Sequence, residues 1–430
     1  MTAEWVEVLL EEVAELNGGY AFKSEEYTNT GHFVLRTLNI TEDGRITKKG
    51  ATFISEASAK TYERFALKPL DSLFVMVGAT LGKVGLVKDT DLPALLNQNM
   101  WVIRKKRSDT DPLFLHYAFS FYSKPLCSLV SGSARGFVKR DDFRRMKLWL
   151  PTLKAQKKIS SLLAGLDDRI TLLRETNITL EAIAQALFNS WFIDFDPVGA
   201  KQEGRQPEGI DQATAGLFPN SFEQSEFGEI PKGWTLEALD KNINFLNGLA
   251  LQKFPPTGIN DLPVIKIAQL RKGDAIGADL AASSIKPEYV VKDGDVLFSW
   301  SGSLEVEIWC GGEGALNQHL FKVTSSIYSK WFIYLWTRKH LNNFREIAAS
   351  KATTMGHIQR SHLSAAKILV PDKRLLDTID SIISPLIDKV IENNLQVRSL
   401  SSLCDTLLPR LISGQLRLPD AEEQIEAATA

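Results

Sequence analysis

A lysine after paired glycines, a Pro-Pro step, six histidines and three cysteines are the residues in this chain that could do chemistry. Gly78-Ala79-Thr80-Leu81-Gly82-Lys83-Val84 resembles a phosphate-binding loop, but three residues rather than four separate its glycines, and no Ser or Thr follows the lysine to reach a metal ion. No ATP binding is expected there. Phe254-Pro255-Pro256 lacks the polar first residue with which an amino-methyltransferase grips its target amine. His32, His116, His319, His340, His357 and His362 show no ligand spacing such as His-Glu-x-x-His. Cys127, Cys310 and Cys404 are far apart and in no Cys-x-x-Cys pair, so each is expected to be reduced and packed. Catalysis by this chain, and a metal site within it, are therefore not expected.

The residue types suited to nucleic acid are more promising. The net charge of −2 supplies no general attraction to a polyanion, so any DNA contact must come from local basic surfaces. Two Gly-marked, basic segments fit: residues 131–140, with Ser133, Arg135, Lys139 and Arg140, and residues 350–360, with Lys351, Thr353, Thr354, His357 and Arg360. Phosphate contacts would position such a loop, while amide and guanidinium groups read base edges. Asn97 and Gln98 recur as Asn317 and Gln318, a repetition that fits either amide-mediated packing or DNA contact. Arg104-Lys105-Lys106-Arg107 reads as a solvated strand end, and Trp300 and Trp309 as core residues of strands.

The elements that carry these residues come in duplicate. Val34-Leu35-Arg36-Thr37-Leu38-Asn39-Ile40 aligns with Val264-Ile265-Lys266-Ile267-Ala268-Gln269-Leu270 at an offset of 230, where Leu16-Asn17-Gly18 also meets Leu246-Asn247-Gly248. Trp5 meets Trp234 one residue out of step. From Leu96-Asn97-Gln98 and Leu316-Asn317-Gln318 onward the offset is 220, and it persists through Pro151/Pro371 to Leu187/Leu407. With 430 residues and 44% apolar content, the chain can fill two or more cores. Short apolar runs such as Leu73–Val77 predict buried strands; the prolines close each stranded region and precede a helical period.

In the first helix the apolar positions Ile159, Leu163, Leu166, Ile170, Leu173, Leu180, Ala184, Leu187 and Trp191 step by four and three residues around Asn177. The second repeats the stripe from Ile379 to Leu411 around Asn393. If the helices pair antiparallel with stripes aligned end to end, partner numbers sum to 570, which sets Asn177 opposite Asn393 and lets the amides fix the register. The helix from 159 to 191 would be about 48 Å long, a spacer that suits half-sites about 34 Å apart on one face of B-DNA.

These features together resemble the DNA-specificity subunits of type I restriction-modification systems. The ordered signatures are Lys68-Pro69-Leu70-Asp71-Ser72-Leu73-Phe74 with Lys292-Asp293-Gly294-Asp295-Val296-Leu297-Phe298, the two Leu-Asn-Gln segments, Phe195-Asp196-Pro197-Val198, Ile230-Pro231-Lys232-Gly233-Trp234, and Arg410-Leu411-Ile412-Ser413-Gly414-Gln415-Leu416. The resemblance implies an α+β protein in which two β-rich target-recognition domains are separated by two long helices, paired as an antiparallel coiled coil in a pseudo-twofold repeat. The expected limits are 1–153 and 230–373 for the recognition domains, 154–196 and 374–418 for the helical spacers, 197–229 for a linker and 419–430 for a frayed tail. It also implies a non-catalytic reader of bipartite double-stranded DNA that carries no cofactor. S-adenosylmethionine would belong to two methyltransferase partners, and ATP and Mg to two restriction/translocase partners. Neither a membrane span nor a secretory signal is read in the sequence, so a cytoplasmic location is expected. The rival readings are a stand-alone methyltransferase or nuclease with degenerate motifs, and a duplicated protein-binding scaffold.

Overall fold

The computed structural model describes residues 5–78, 80–131, 139–226, 228–350 and 356–429. The chain forms two compact units, one of Met1–Arg169 with Leu400–Ala430, the other of Ile170–Ser399.

In the first unit, a four-stranded antiparallel sheet runs in the order Ala14–Gly18, Met100–Lys105, Ser72–Val75 and Val84–Leu86. Ser72–Val75 is buried along its whole length, so its sequence is a continuous apolar run rather than an alternating one. A three-stranded sheet places His32–Leu35 between Thr52–Ile54 and Ala94–Leu96, parallel to the latter. Phe33, Leu35, Leu73, Val75, Leu96 and Met100 fill the space between them. The domain enters and leaves through one antiparallel pair, Val6–Leu9 with Lys147–Leu150.

The second unit has the same pairings. Its antiparallel sheet runs Asn244–Asn247, Leu320–Thr324, Val296–Ser299, Val306–Ile308. A second sheet has Leu262–Ile265 parallel to Gly314–Leu316 at its centre, and Thr235–Ala238 pairs with Lys367–Val370 to close the domain. The motif shared by the halves has a local cause: Asp71 and Asp295 each accept the backbone N–H three residues upstream, from Lys68 at 2.7 Å and Lys292 at 2.8 Å, and hold the turn into the buried strand.

The long helices span Leu153–Phe192 and Lys373–Ile412. Each starts just after its proline, with the intervening residue as cap: Thr152 Oγ1 accepts from Ala155 N, and Asp372 Oδ1 from the N–H groups of Arg374 and Leu375. Gly414, in the left-handed region at φ 74°, ends the second helix by a conformation that glycine adopts without strain. Within the second unit the helices run antiparallel, since Asn177 meets Asn393 while Ala184, Phe188 and Phe192 share a core with Leu375, Ile379 and Ile383. In the first unit Ile159, Leu163 and Leu166 are buried, as are Leu400, Leu407 and Leu411. The buried face is wider than a coiled-coil seam because each helix segment also carries a recognition domain; hence Phe188, Phe192, Leu375 and Ile387 are buried beside the stripe.

Three expectations need revision. Residues 197–229, read as a linker, form helices Asp196–Gln202 and Gln212–Leu217 and a strand Phe222–Ser225 paired with Gly228–Pro231. Val198 and Phe218, sparse apolar residues in a Gly/Gln-rich stretch, are buried in the second unit's core and give that stretch its order. The tail beyond 419 is the helix Leu418–Thr429, anchored by buried Ala421. The alignment of Leu16-Asn17-Gly18 with Leu246-Asn247-Gly248 is out of register by one. Gly18 pairs with Trp101 where Asn247 pairs with Phe321, so the offset here is 229, the value that also joins Trp5 to Trp234. Gly19 and Gly248 are then equivalent, and a Cβ on either would fall 2.0 Å from Asn97 O or 2.2 Å from Asn317 O. No helix among the described residues is long and apolar enough to cross a membrane.

Candidate nucleic-acid interface

In the second domain three backbone segments converge beyond one end of the four-stranded sheet, and among the described residues two of them meet in the same way in the first. In the second domain they are the turn after Val296–Ser299, the Asn317–His319 turn, and residues 356–360. Trp300 N donates to His319 O (3.3 Å), Ile358 N to Trp300 O (3.0 Å), and Gly302 N to Gly356 O (3.0 Å), while Ser301 bridges to His357. In the first domain Met76 N donates to Asn99 O (3.1 Å), the same junction at equivalent positions.

Side chains gather on this framework. Trp300 is half-buried; its Nε1 donates to Asn247 Oδ1 at 2.9 Å and Gln318 O at 3.1 Å. Its ring centroid lies 5.9 Å from that of His319 and 6.3 Å from that of His357. Ser301 Oγ lies 2.9 Å from His319 Nδ1 and fixes the imidazole through one nitrogen. The Arg360 guanidinium lies 5.8 Å from the centre of the Phe321 ring and donates to Phe245 O at 3.1 Å. Arg140 in the first domain lies over Trp101 at the same 5.8 Å, at the position equivalent to Arg360 over Phe321. The arginines are thus held by a ring on the inner side, with Arg360 exposed and Arg140 half-buried.

The expected contact residues divide unevenly. Lys139, Arg140, His357 and Arg360 lie at these edges, as do Asn97, Gln98, Asn317 and Gln318. Gln98 is exposed. Asn317 is buried, with Nδ2 donating to Gln318 Oε1 at 2.8 Å and Oδ1 accepting from His319 N at 3.2 Å, so its amide shapes the turn. Ser133, Arg135, Lys351, Thr353 and Thr354 lie outside the described residues. Arg104 is committed to Asp71 by a two-bond ion pair and to Ala66 O, and Arg107 pairs with Asp109. Trp309 is core, donating to Gly312 O at 2.6 Å. Sequence reasoning read Trp300 as a core residue and weighed His319 only as a metal ligand. The signal available was that one ends a strand and the other directly follows Leu-Asn-Gln.

Two displaced titratable groups lie elsewhere. Burial pushes the His116 imidazole down to about 4 where it meets Ser72 Oγ, and burial raises Glu307 to about 7, with Glu181 and Glu305 adding like charge and Arg338 opposing. No cluster of three or more His, Cys, Asp or Glu able to hold a metal occurs among the described residues.

Residues 2–182 match the family described as the type I restriction modification DNA specificity domain. The chain is 27% identical over 385 residues to the type I restriction enzyme MjaIX specificity subunit of Methanocaldococcus jannaschii, which covers 86% of this chain and 83% of that protein. It is 24% identical over 322 residues to the HindI specificity subunit of Haemophilus influenzae, covering 64% and 70%. The fold is that of the type I restriction-modification S subunit from M. genitalium, at a TM-score of 0.57 and 14% identity over 95% of this chain and 96% of that one. Residues 2–182 are thus similar to the type I restriction modification DNA specificity domain, and the relatives that resemble the chain over most of its length are type I restriction enzyme specificity subunits.

Proposed function

We propose that this chain reads a bipartite double-stranded DNA target, one half with each recognition domain, for adenine methylation or restriction by other subunits. A specificity subunit is the recognition component of such a system, not the catalytic one. What supports the bipartite reading is the recurrence of one loop edge in both domains, each with an arginine held over the aromatic ring of a sheet strand. A guanidinium packed on one face can still present N–H groups to phosphate or guanine, Arg360 giving one of its own to Phe245 O, and the neighbouring amide and imidazole groups supply shorter-range contacts. The partners in this reading are two methyltransferase subunits holding S-adenosylmethionine and two translocating restriction subunits using ATP and Mg, in the cytoplasm.

Methyl transfer to target DNA should need the assembled complex. The purified chain, mixed with duplex and S-adenosylmethionine, should give no adenine methylation, and adding the methyltransferase subunits should restore it. Robust transfer by the chain alone would sink the assignment of roles.

The edges can be tested by salt. Each phosphate that a protein no longer neutralises lowers the slope of log K against log salt by about 0.9 on duplex DNA. Arg360→Ala, and Lys139→Ala with Arg140→Ala, should each reduce the slope by about one unit for every phosphate set free. An unchanged slope would return that segment to solvent.

A further inference from the structure

The repeat leaves one strong contact unaccounted for. Arg398 of the second long helix forms a two-bond pair with Asp293, Nη1 to Oδ1 at 2.7 Å and Nη2 to Oδ2 at 2.8 Å, and Nη1 also donates to Cys310 O at 2.6 Å. Asp293 Oδ1 in turn accepts from Gly312 N at 2.8 Å. One guanidinium therefore pins two turns of the second domain, 292–295 and 310–312, to the helix. The pair is partly shielded, with side-chain exposure of 43% and 28%, and the Arg398 guanidinium holds the Asp293 carboxyl below its ordinary range.

Nothing in the shared architecture requires it. The position equivalent to Asp293 in the first domain is Pro69, and that equivalent to Arg398 in the first helix is Ile178, which is 68% exposed. A domain of this type folds without the pair. On the same helix, one turn before Arg398, Asn394 accepts from Asn177 Nδ2 at 2.9 Å and hydrogen-bonds the Cys310 side chain. The amides that join the helices and the ion pair that holds the domain thus form one connected network: Asn177, Asn394, Cys310, Arg398, Asp293.

We propose that Arg398 is a positioning residue that sets the orientation of the second recognition domain on the helix pair through Asp293, and thereby narrows the range of spacers accepted between the half-sites. Two parallel N–H···O bonds fix a direction as well as a distance, which a lysine would not. The proposal rests on the bipartite reading. A domain free to rock on its helices would still read its own bases but would tolerate a half-site displaced by a base pair.

The test uses the chain assembled with its methyltransferase subunits and duplexes carrying both half-sites at the preferred spacing, or one base pair shorter or longer. Arg398→Ala and Asp293→Asn should each lower the discrimination against the wrong spacers by roughly twofold to fivefold, the range expected for a partly exposed ion pair. Discrimination against base changes within each half-site should stay at the wild-type level. Arg398→Lys, keeping charge without the fork, should fall between. An unchanged spacer preference in Asp293→Asn, which is the gentler change, overturns the proposal, and so does a uniform loss of methylation at all spacings. A wild-type complex indifferent to spacing would instead overturn the bipartite reading beneath it.

Discussion

Replacing residues 1–150 with the corresponding domain of a specificity subunit that has another target should change one half of the methylated sequence and leave the other half untouched. The reason is where the domain joins the rest. Its first and last strands, Val6–Leu9 and Lys147–Leu150, pair antiparallel, so both crossings to the remainder of the chain lie side by side. Its interior is self-contained: Phe74, Trp101, Phe119 and Phe143 form one aromatic cluster drawn from the domain alone. A graft must respect a few contacts with the first helix. Asp111 N donates to Gln156 Oε1 at 2.9 Å, Ser160 Oγ donates to Asp111 Oδ2 at 2.8 Å, and Tyr117 Oη donates to Asp167 Oδ2 at 2.6 Å. Specific binding exceeds non-specific binding by roughly 10³ to 10⁷ in such proteins, so a change of half-site should appear as near-complete loss on the old target. Methylation mapping of DNA exposed to each complex measures it. A change in both halves would mean that the domains do not read independently.

How far the sequence carried depends on the kind of contact. The helix stripe was legible because its period is local: Ile159 to Trp191 and Ile379 to Leu411 can be counted off, and almost every position is buried or half-buried. The Lys-x-x-Asp turn was visible as a repeat, although its cause, a carboxylate accepting the lysine's own N–H, shows only in the folded chain. The sheets were not legible in detail. Strands of two to six residues, with His32–Leu35 parallel to the distant Ala94–Leu96, leave no period long enough to register. The ordered segment 197–229 escaped for a related reason, since isolated Val198 and Phe218 look like scattered apolar residues until they meet a core. At the candidate interface, the arginines were found from their basic surroundings, but their rings were not. Arg140 and Trp101, or Arg360 and Phe321, come together only when the last segment of each domain folds back on the sheet.

Substituting the helix-register amides should give unequal single effects and strong coupling. Arithmetic on the repeat sets Asn177 opposite Asn393; in the structure Asn393 Nδ2 donates to Asn177 Oδ1 at 2.8 Å, and both side chains are buried. Asn177 is the better satisfied of the two. Its Nδ2 also donates to Val390 O at 3.2 Å and to Asn394 Oδ1 at 2.9 Å, whereas Asn393 Oδ1 has no partner among the described residues. Asn177→Leu removes three hydrogen bonds and strands the whole Asn393 amide, so it should cost about 2 to 3 kcal/mol. Asn393→Leu removes one bond and relieves an acceptor that was already orphaned, and should cost about 1 kcal/mol. With both replaced, two leucines fill the same layer and no amide is stranded beyond Asn394, so the double variant should be more stable than Asn177→Leu alone, with a coupling of about 1 to 2 kcal/mol. Denaturant unfolding of the four proteins checks the cycle. Additive losses would mean that the amides are independent packing residues. If the pair also specifies register, the double variant, though folded, should methylate targets of several spacings where the parent accepts one, because apolar layers a heptad apart become interchangeable once the matched polar layer is gone.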